Sequence, residues 1–311
     1  MNILNLFAEF YAYQRNYKGV PFFVLSPLRR LTRYLASFLL PYYLKNTSRA
    51  DPQKIVDVVV TFTSFPARID KVWQVVECML RQTYRPRKII LWLSLEQFPD
   101  RQSIPCSLCE LEGDIFEIRL VSGDIRSHKK YYYASLDFFE SLLFIIDDDI
   151  YYPTNILERT IKEYKRFPKS VISNYAFNII RDENGICKPY RTWKECHKYS
   201  RGMDVFFGSG GGILVNPSLL YKDLTRIDLA LKLTPIADDI WLNAMCRLAN
   251  VEIVVIQKGL FLPIIRGKNV TLSSVNLSSD DSGMCKNDEQ LRKVEEYYLE
   301  HCLRNIFNVC R

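Results

Sequence analysis

The sequence predicts an α/β fold in which a mixed, mainly parallel sheet is covered by helices, and three observations carry that expectation. Aliphatic runs recur through the first half of the chain, in KIVDVVVTFT, RKIILWLSL, IFEIRLVS and LLFII. Segments with apolar residues at helical spacing separate them, as in DKVWQVVECMLRQTY, where Val72, Val75, Val76, Met79 and Leu80 share one face. The chain has 311 residues, 48% of them hydrophobic, enough to bury a core on both faces of such a sheet.

The elements follow in order. PLRRLTRYLASFLLPYYLKN sets Leu28, Leu31, Leu35, Phe38 and Leu39 at helical spacing, with Arg29, Arg30 and Arg33 on the remaining surface. Two readings stand for it: an amphipathic helix packed on the domain, or one lying in an anionic membrane interface. After the polar connector TSRADPQ comes a buried strand that ends in a Thr/Ser/Pro turn, then a helix with Asp70 as its expected N-cap and Pro86 closing the unit. Three further strands follow, and Pro153 suits the first position of the next helix. FFGSGGGILVNPSLL reads as a Gly-rich turn, a short strand and a Pro-initiated turn. TPIADDIWLNAMCRLAN reads as a loop capped into a helix by Asp238 or Asp239, and VEIVVIQ as another strand. The polar loop SSVNLSSDDSG precedes a last helix over 288–302. The expected organisation is a basic amphipathic segment over 1–50, a main domain over 51–270, and a C-terminal loop and helix over 271–311.

Composition narrows the function. Net charge is +7, with the basic bias at the N-terminus, where Lys18, Arg29, Arg30, Arg33, Lys45 and Arg49 stand against Glu9. No zinc-finger spacing, RNA-recognition signature or Lys/Arg-rich helix accompanies it, so nucleic acid is not an expected partner. Nine scattered cysteines in a chain this large fit reduced thiols in a cytosol, and Cys106 and Cys109 form a lone CxxC. Neither a cleavable signal nor an apolar run of about 18 residues is present, so the expected location is cytoplasmic, at most peripheral on the inner face of the cytoplasmic membrane. The sequons at Asn46, Asn269 and Asn276 would matter only in a secretory lumen.

The segment SLLFIIDDDIYYP drives an apolar run into three carboxylates. Like charge at a strand end is costly unless it stays solvated or a cation sits there. If strand geometry persists, Asp147 and Asp149 share one side and Asp148 takes the other. Two such oxygen ligands suit Mg²⁺ or Mn²⁺ shared with substrate phosphates. The plain alternative is a solvated acidic turn.

Taken together and in order, TFTSFPARI, RPRKIILWLS, HKKYYYASL, FIIDDDIYYP, GSGGGILVNP and PIADDIWLNAM resemble the bacterial glycosyltransferases of the GT-A type, family-2-like, that build capsule and lipopolysaccharide. The resemblance covers roughly residues 55–257. It implies a Rossmann-like GT-A domain with helical extensions, and a metal-dependent, inverting transfer of sugar from a nucleotide-sugar to a saccharide or lipid-linked acceptor. By that resemblance the triplet is the DxD motif: Asp147 approaches the nucleotide and Asp149 ligates the Mn²⁺ or Mg²⁺, with Asp147 as second ligand and Asp148 unassigned within the nucleotide site. The loop with Thr63, Ser64, Phe65 and Arg68 is implied to cup base and ribose, although Phe65 reads equally as core and Arg68 as a surface charge. Lys129 and Lys130 are implied near the nucleotide or diphosphate; a solvated basic turn is the alternative. Asp238-Asp239 matches the acceptor-site pair, with Asp239 as general base and Asp238 in support; the alternative is an N-cap and a helix-dipole partner. Gly210, Gly211 and Gly212 either admit a ligand or form a tight turn, and Trp193 and Trp241 are either sugar platforms or core. GSGGG lacks the Lys-Ser/Thr of a phosphate loop. Rival functions are a nucleotidyltransferase, a phosphatase, which Ile150 after the triplet disfavours, and a non-catalytic sugar-binding protein.

Overall fold

The computed structural model describes residues 2–16, 22–196, 199–256, 262–264 and 285–309. Their strands are β1 (Lys54–Thr63), β2 (Tyr84–Ser94), β3 (Phe116–Val121), β4 (Leu142–Ile145), β5 (Ile150–Tyr151), β6 (Val171–Ser173), β7 (Ala176–Asn178), β8 (Lys194–Glu195), β9 (Ser200–Gly202), β10 (Val205–Phe207), β11 (Ile213–Val215), β12 (Ile253–Val255) and β13 (Leu262–Pro263). The helices are α1 (Ile3–Asn16), α2 (Phe22–Asn46), α3 (Val72–Leu80), α4 (Cys106–Cys109), α5 (Lys129–Asp137), α6 (Ile156–Arg166), α7 (Ile227–Leu233), α8 (Asp238–Leu248) and α9 (Lys286–Cys302).

The main sheet runs β3-β2-β1-β4-β11-β6-β12-β9. Its first four strands are parallel, and β11 enters antiparallel between β4 and β6. This is the expected mixed, mainly parallel, Rossmann-like α/β architecture. Period-two alternation builds its two cores. Val58, Val60 and Phe62 of β1, with Ile89, Leu91 and Leu93 of β2, face α3, α6 and the N-terminal helices. Val59, Ile90 and Trp92 face the layer of α5, α7, α8 and α9. Each such side chain removed from water stabilises the fold by about 1.5–3 kcal/mol.

Local expectations meet four corrections. Asp70 does not cap α3; it lies in a 3₁₀ turn before it, and Lys71 holds the cap position without a side-chain bond. Pro86 does not close the unit but sits inside β2, opposite Val56 of β1 and before the register with β3 begins at Ile89. Pro153 precedes α6 by a turn, and Asn155 holds the cap position. At α8 the cap position is Ala237, which places both aspartates inside the first turn.

Cys106 and Cys109 lie on the single turn of α4, and the described cysteines are all free thiols. Trp241 and Trp193 are both core; Trp193 packs on Tyr190 and Phe206, and its indole N–H donates to the Lys188 carbonyl. The polar loop with Asn269 and Asn276 lies outside the described residues.

The N-terminal helices pack on the domain, the first of the two readings. They pack through Leu4, Ala8, Ala12, Ala36, Leu40 and Leu44, and the Gln14 amide donates to Thr32 Oγ1 across the hairpin. The carbonyls of Leu44, Thr47 and Ser48 at the end of α2 are taken by the Arg81 guanidinium at 2.9, 2.7 and 3.1 Å, which satisfies orphaned acceptors there. Yet Val24, Leu28, Leu31, Leu35, Phe38 and Tyr42 lie exposed along the opposite face, Phe38 at 79%. No described helix is long and apolar enough to cross a membrane.

The glycine turn is also explained by packing. Gly212 has φ +86°, and a Cβ there would meet the Phe144 ring at 2.4 Å; at Gly210 it would meet only Asp147 Oδ2, at 3.2 Å. Gly212→Ala is therefore expected to lose about 1–3 kcal/mol or more of stability, and Gly210→Ala clearly less. Urea unfolding of both variants checks the order.

Candidate functional site

The strand order turns back at one place: the chain builds outward from β1 to β2 and β3, then returns to β4 on the other side of β1. Loops leaving the C-terminal ends of β1 and β4 diverge there, and such a switch point opens a crevice. A cavity of about 810 Å³ occupies it. Thr63, Ser64, Phe65, Arg68, Lys129, Lys130, Asp147, Asp148, Asp149, Asp238 and Asp239 all line it.

The triplet is a turn and not a continued strand, since β4 stops at Ile145. Strand alternation therefore does not set the side chains, and Asp148 points into the first loop. Its carboxylate accepts from Ser64 Oγ at 2.6 Å and from Arg68 Nη1 at 2.8 Å. Arg68 also lies 3.4 Å from Asp149 and over the Phe65 ring, so one guanidinium ties the loop to two of the three acids. Burial pulls the Arg68 pKa down, but Asp148 and Asp149 outweigh it and raise it overall. Thr63 Oγ1 donates to the Trp92 carbonyl and steadies the end of β1. Phe65 is half-buried on the cavity wall, not in the core.

Asp147 faces the other way. Its Oδ1 accepts from Lys130 Nζ at 2.8 Å and Ser209 Oγ at 3.1 Å. Its backbone N–H donates to the Tyr152 hydroxyl, which in turn donates to the Gly210 carbonyl. Burial works to raise the Asp147 pKa, but Lys130, Ser209 and Arg68 hold it below the usual carboxylate range. Asp147 and Asp149 keep 32% and 27% of their side chains exposed, whereas Asp148 keeps 5%.

Lys130 joins this triplet to the aspartate pair. Its buried ammonium lies 2.9 Å from Asp238 Oδ2, close in charge though not aligned as a hydrogen bond, and donates to Ser209 Oγ at 2.6 Å. Burial opposes the charge, yet Asp147, Asp238 and Asp239 keep its pKa well above normal. Lys129 does not approach the triplet; its ammonium contacts Asp124. Neither lysine is a solvated turn charge, since both side chains are buried.

Asp239 Oδ1 accepts from the Ser209 backbone N–H at 3.0 Å. Burial and the neighbouring Asp238 raise its pKa to about 7, with Lys130 pulling the other way. Asn243, one turn along α8, bonds Phe207 through both its amide groups and fixes this helix against β10.

Three residues not anticipated from the sequence complete the framework. Ser209 contacts Asp147, Lys130 and Asp239. Tyr152 ties the triplet to the glycine turn. His128 is fully buried, and its Nε2 donates to the Thr234 carbonyl at 2.7 Å, which leaves Nδ1 to accept from the Tyr131 hydroxyl at 2.8 Å. Burial lowers its pKa, so it acts as a neutral strut from the start of α5 to the approach of α8. The sole sequence signal for it was its place directly before the two lysines.

Around the triplet and the pair, five carboxylates stand against Lys130 and Arg68, an excess of negative charge that suits a divalent cation. Among the described residues no three His, Cys, Asp or Glu side chains gather into an all-protein cage. The donor set fits an ion held by one or two carboxylates and completed by phosphate and water, the usual Mg²⁺ arrangement.

No family model matches the chain, and no curated protein matches its sequence. Solved structures to which it is similar include CMP:2-keto-3-deoxy-manno-octonic acid synthetase complexed with CTP, at 10% identity and TM-score 0.39 over 65% of this chain and 89% of that one. HddC from Yersinia pseudotuberculosis is similar at 11% identity and TM-score 0.34, over 53% of this chain and 77% of that one. UDP-glucose pyrophosphorylase complexed with UDP-glucose is similar at 10% identity and TM-score 0.37, over 80% of this chain and 100% of that one.

Proposed function

We propose that the protein is a metal-dependent, inverting glycosyltransferase of the GT-A type that moves a sugar from a nucleotide-sugar to a saccharide or lipid-linked acceptor in surface polysaccharide synthesis. The observation that carries this reading is the Asp239 carboxyl, raised to about 7 on a cavity wall that also bears the aspartate triplet. A hydroxyl is a poor nucleophile and must lose its proton as it attacks, and a base that is half ionised near neutral pH suits that task. A sugar-phosphate nucleophile is already anionic and needs no such base, whereas a sugar hydroxyl attacking a nucleoside triphosphate would need one. The products released therefore separate glycosyl transfer from the nucleotidyltransferase reading.

In this reading the acceptor proton passes to Asp239 while the acceptor oxygen bonds the anomeric carbon. The bond from that carbon to the diphosphate breaks, and its electron pair leaves with the nucleoside diphosphate. Asp238 supports Asp239 by sharing Lys130, and the Ser209 N–H orients the base. Asp149 and Asp147 would hold Mn²⁺ or Mg²⁺, which would supply Lewis-acid stabilisation of the leaving diphosphate. The loop over 63–68 receives base and ribose, with Arg68 its cation. The exposed apolar faces of α1 and α2 beside Arg29, Arg30 and Lys45 support a peripheral position on the inner face of an anionic cytoplasmic membrane.

Asp239→Asn is expected to keep metal-dependent binding of the donor nucleotide in a thermal-shift assay and to lose transfer by about 10²–10⁴-fold. In the wild type, transfer should rise with pH through about 7 and level off above it, because the ionised base is the active form. Its folded-state pKa lies above the unfolded value of about 3.9, so stability from this group falls as pH rises from about 4 to about 7. Asp239→Asn should remove that slope. Pyrophosphate released from a nucleoside triphosphate and a sugar phosphate, with no nucleoside diphosphate from a sugar donor, would overturn the reading.

Asp149→Asn tests the donor side. It should abolish the stabilisation that nucleotide gives only with Mn²⁺ or Mg²⁺; equal stabilisation in variant and wild type would remove the metal assignment.

A further inference from the structure

The three-stranded sheet β10-β7-β8 lies outside the main sheet and brings aromatic side chains to one wall of the large cavity. Phe177 comes from β7, Phe206 from β10, and Tyr175 and Tyr190 from the segments beside them. Their rings touch in a row. Tyr175 meets Phe177 edge-on with centroids 5.0 Å apart, Phe177 lies 6.0 Å from Tyr190, and Tyr190 meets Phe206 edge-on at 5.7 Å. Phe206 is buried, whereas the other three keep part of their surface open.

This wall stands beside Asp239. A Cβ on Gly208 would meet the Tyr175 ring at 3.2 Å and Asp239 Oδ2 at 3.7 Å, so ring and carboxylate flank a narrow gap that the glycine leaves clear. The first turn of α9 belongs to the same end of the cavity. There the Tyr190 N–H donates to Asp288 Oδ1 at 2.6 Å, and the Ile236 N–H, just before the aspartate pair, donates to Gln290 Oε1 at 3.1 Å. Asn287, next to Asp288, lines the cavity, and its Oδ1 is buried without a hydrogen-bond partner. A buried acceptor left unpaired costs free energy until a donor reaches it.

An aromatic wall with an unpaired polar group at its edge suits a ligand that is apolar on its flat side and hydroxylated at its rim. A pyranose ring is such a ligand: its axial C–H groups pack on aromatic faces, and its hydroxyls project around the edge. An anionic group is disfavoured there, because the ring faces carry negative charge density and the aspartate pair stands beside them.

We propose that the Asp239 end of the cavity is a subsite for one pyranose ring, whose C–H face packs on Tyr175, Phe177 and Tyr190 while a rim hydroxyl donates to Asn287 Oδ1. Assigning that ring to the acceptor rests on the proposed function; the binding of the ring does not. The reacting hydroxyl is then borne by a sugar, in preference to a lipid phosphate or a simple alcohol. Tyr190 and Asn287 position the acceptor and take no part in bond making.

The experiment is saturation-transfer NMR titration of the full chain with the methyl β-D-pyranosides of glucose, galactose, mannose and N-acetylglucosamine. D-Glucitol, which has hydroxyls but no ring, and benzyl alcohol, which has a flat ring but no rim of hydroxyls, are the controls. At least one pyranoside should bind, with saturation strongest on the axial protons of one face, and neither control should match it. Asn287→Ala and Tyr190→Leu should each weaken that binding about tenfold, the scale of one hydrogen bond or one aromatic contact. Both variants should keep the wild-type thermal midpoint and the metal-dependent nucleotide shift; if Tyr190→Leu does not fold, Phe177→Leu takes its place. Binding of no pyranoside, binding unchanged in the variants, or a preference for benzyl alcohol would each overturn the proposal. Pyranoside binding that follows these residues, with no sugar transferred from any nucleotide-sugar, would sink the proposed function alone. Transfer that neither substitution affects would sink this subsite alone.

Discussion

The ammonium of Lys130 sits between Asp147 and Asp238 with almost no access to water, and the walls of the cavity are arranged around it. A buried ion carries a desolvation cost of several kcal/mol, which close and well-bonded partners must offset. Here the offset comes from a carboxylate on each side and from Ser209 Oγ. The geometry is therefore fixed from three directions: β4 through Asp147, the glycine turn through Ser209, and α8 through Asp238. Removing either carboxylate leaves the buried Lys130 ammonium with one acidic partner in place of two. His128 braces the same junction without adding charge, because burial keeps its imidazole neutral.

From this junction the electrostatics divide into two tasks. On the β4 side, Lys130, Ser209 and Arg68 hold Asp147 below the usual range, and Asp148 accepts hydrogen bonds from Ser64 and Arg68. On the α8 side, burial and Asp238 push Asp239 the other way, to about 7. Carboxylates on one cavity are thus separated in proton affinity by their neighbours, the pattern by which a site sets one acid to hold charge and another to exchange a proton.

The sheet was legible because its signal is periodic. Val58, Val59 and Val60 had to alternate between two cores, and the aliphatic runs marked β1 to β4 well enough to place the switch point. Ends were less legible. Strand periodicity gave no warning that β4 would stop at Ile145, so the strand geometry expected of the triplet gave way to a turn in which Asp147 meets Lys130 while Asp148 and Asp149 meet Arg68. Asp70, Asp238 and Asp239 all looked like caps, since an aspartate before an apolar helix usually is one, but each lies within a turn and the last two bond across space. The contacts of Ser209 with Asp147 and Lys130, and of His128 with Thr234, span 62, 79 and 106 residues of sequence. No local pattern records such a pairing. In the N-terminal segment the helical spacing marked an amphipathic element but not which face packs: Leu40 and Leu44 are buried, while Leu35 and Phe38 are exposed.

The order in which the chain supplies these charges has its own consequence during synthesis. Lys130 and Asp147 emerge 17 residues apart, and the parallel strands β1, β2 and β4 can bring them together early. Asp238 and Asp239 leave the ribosome later, after about ninety more residues, which at 5–20 residues per second is on the order of ten seconds. During that interval Lys130 has one carboxylate partner instead of two, and the antiparallel strand β11 has yet to slot against β4. The nascent domain therefore waits with an open seam at this charged junction until α8 arrives to close it.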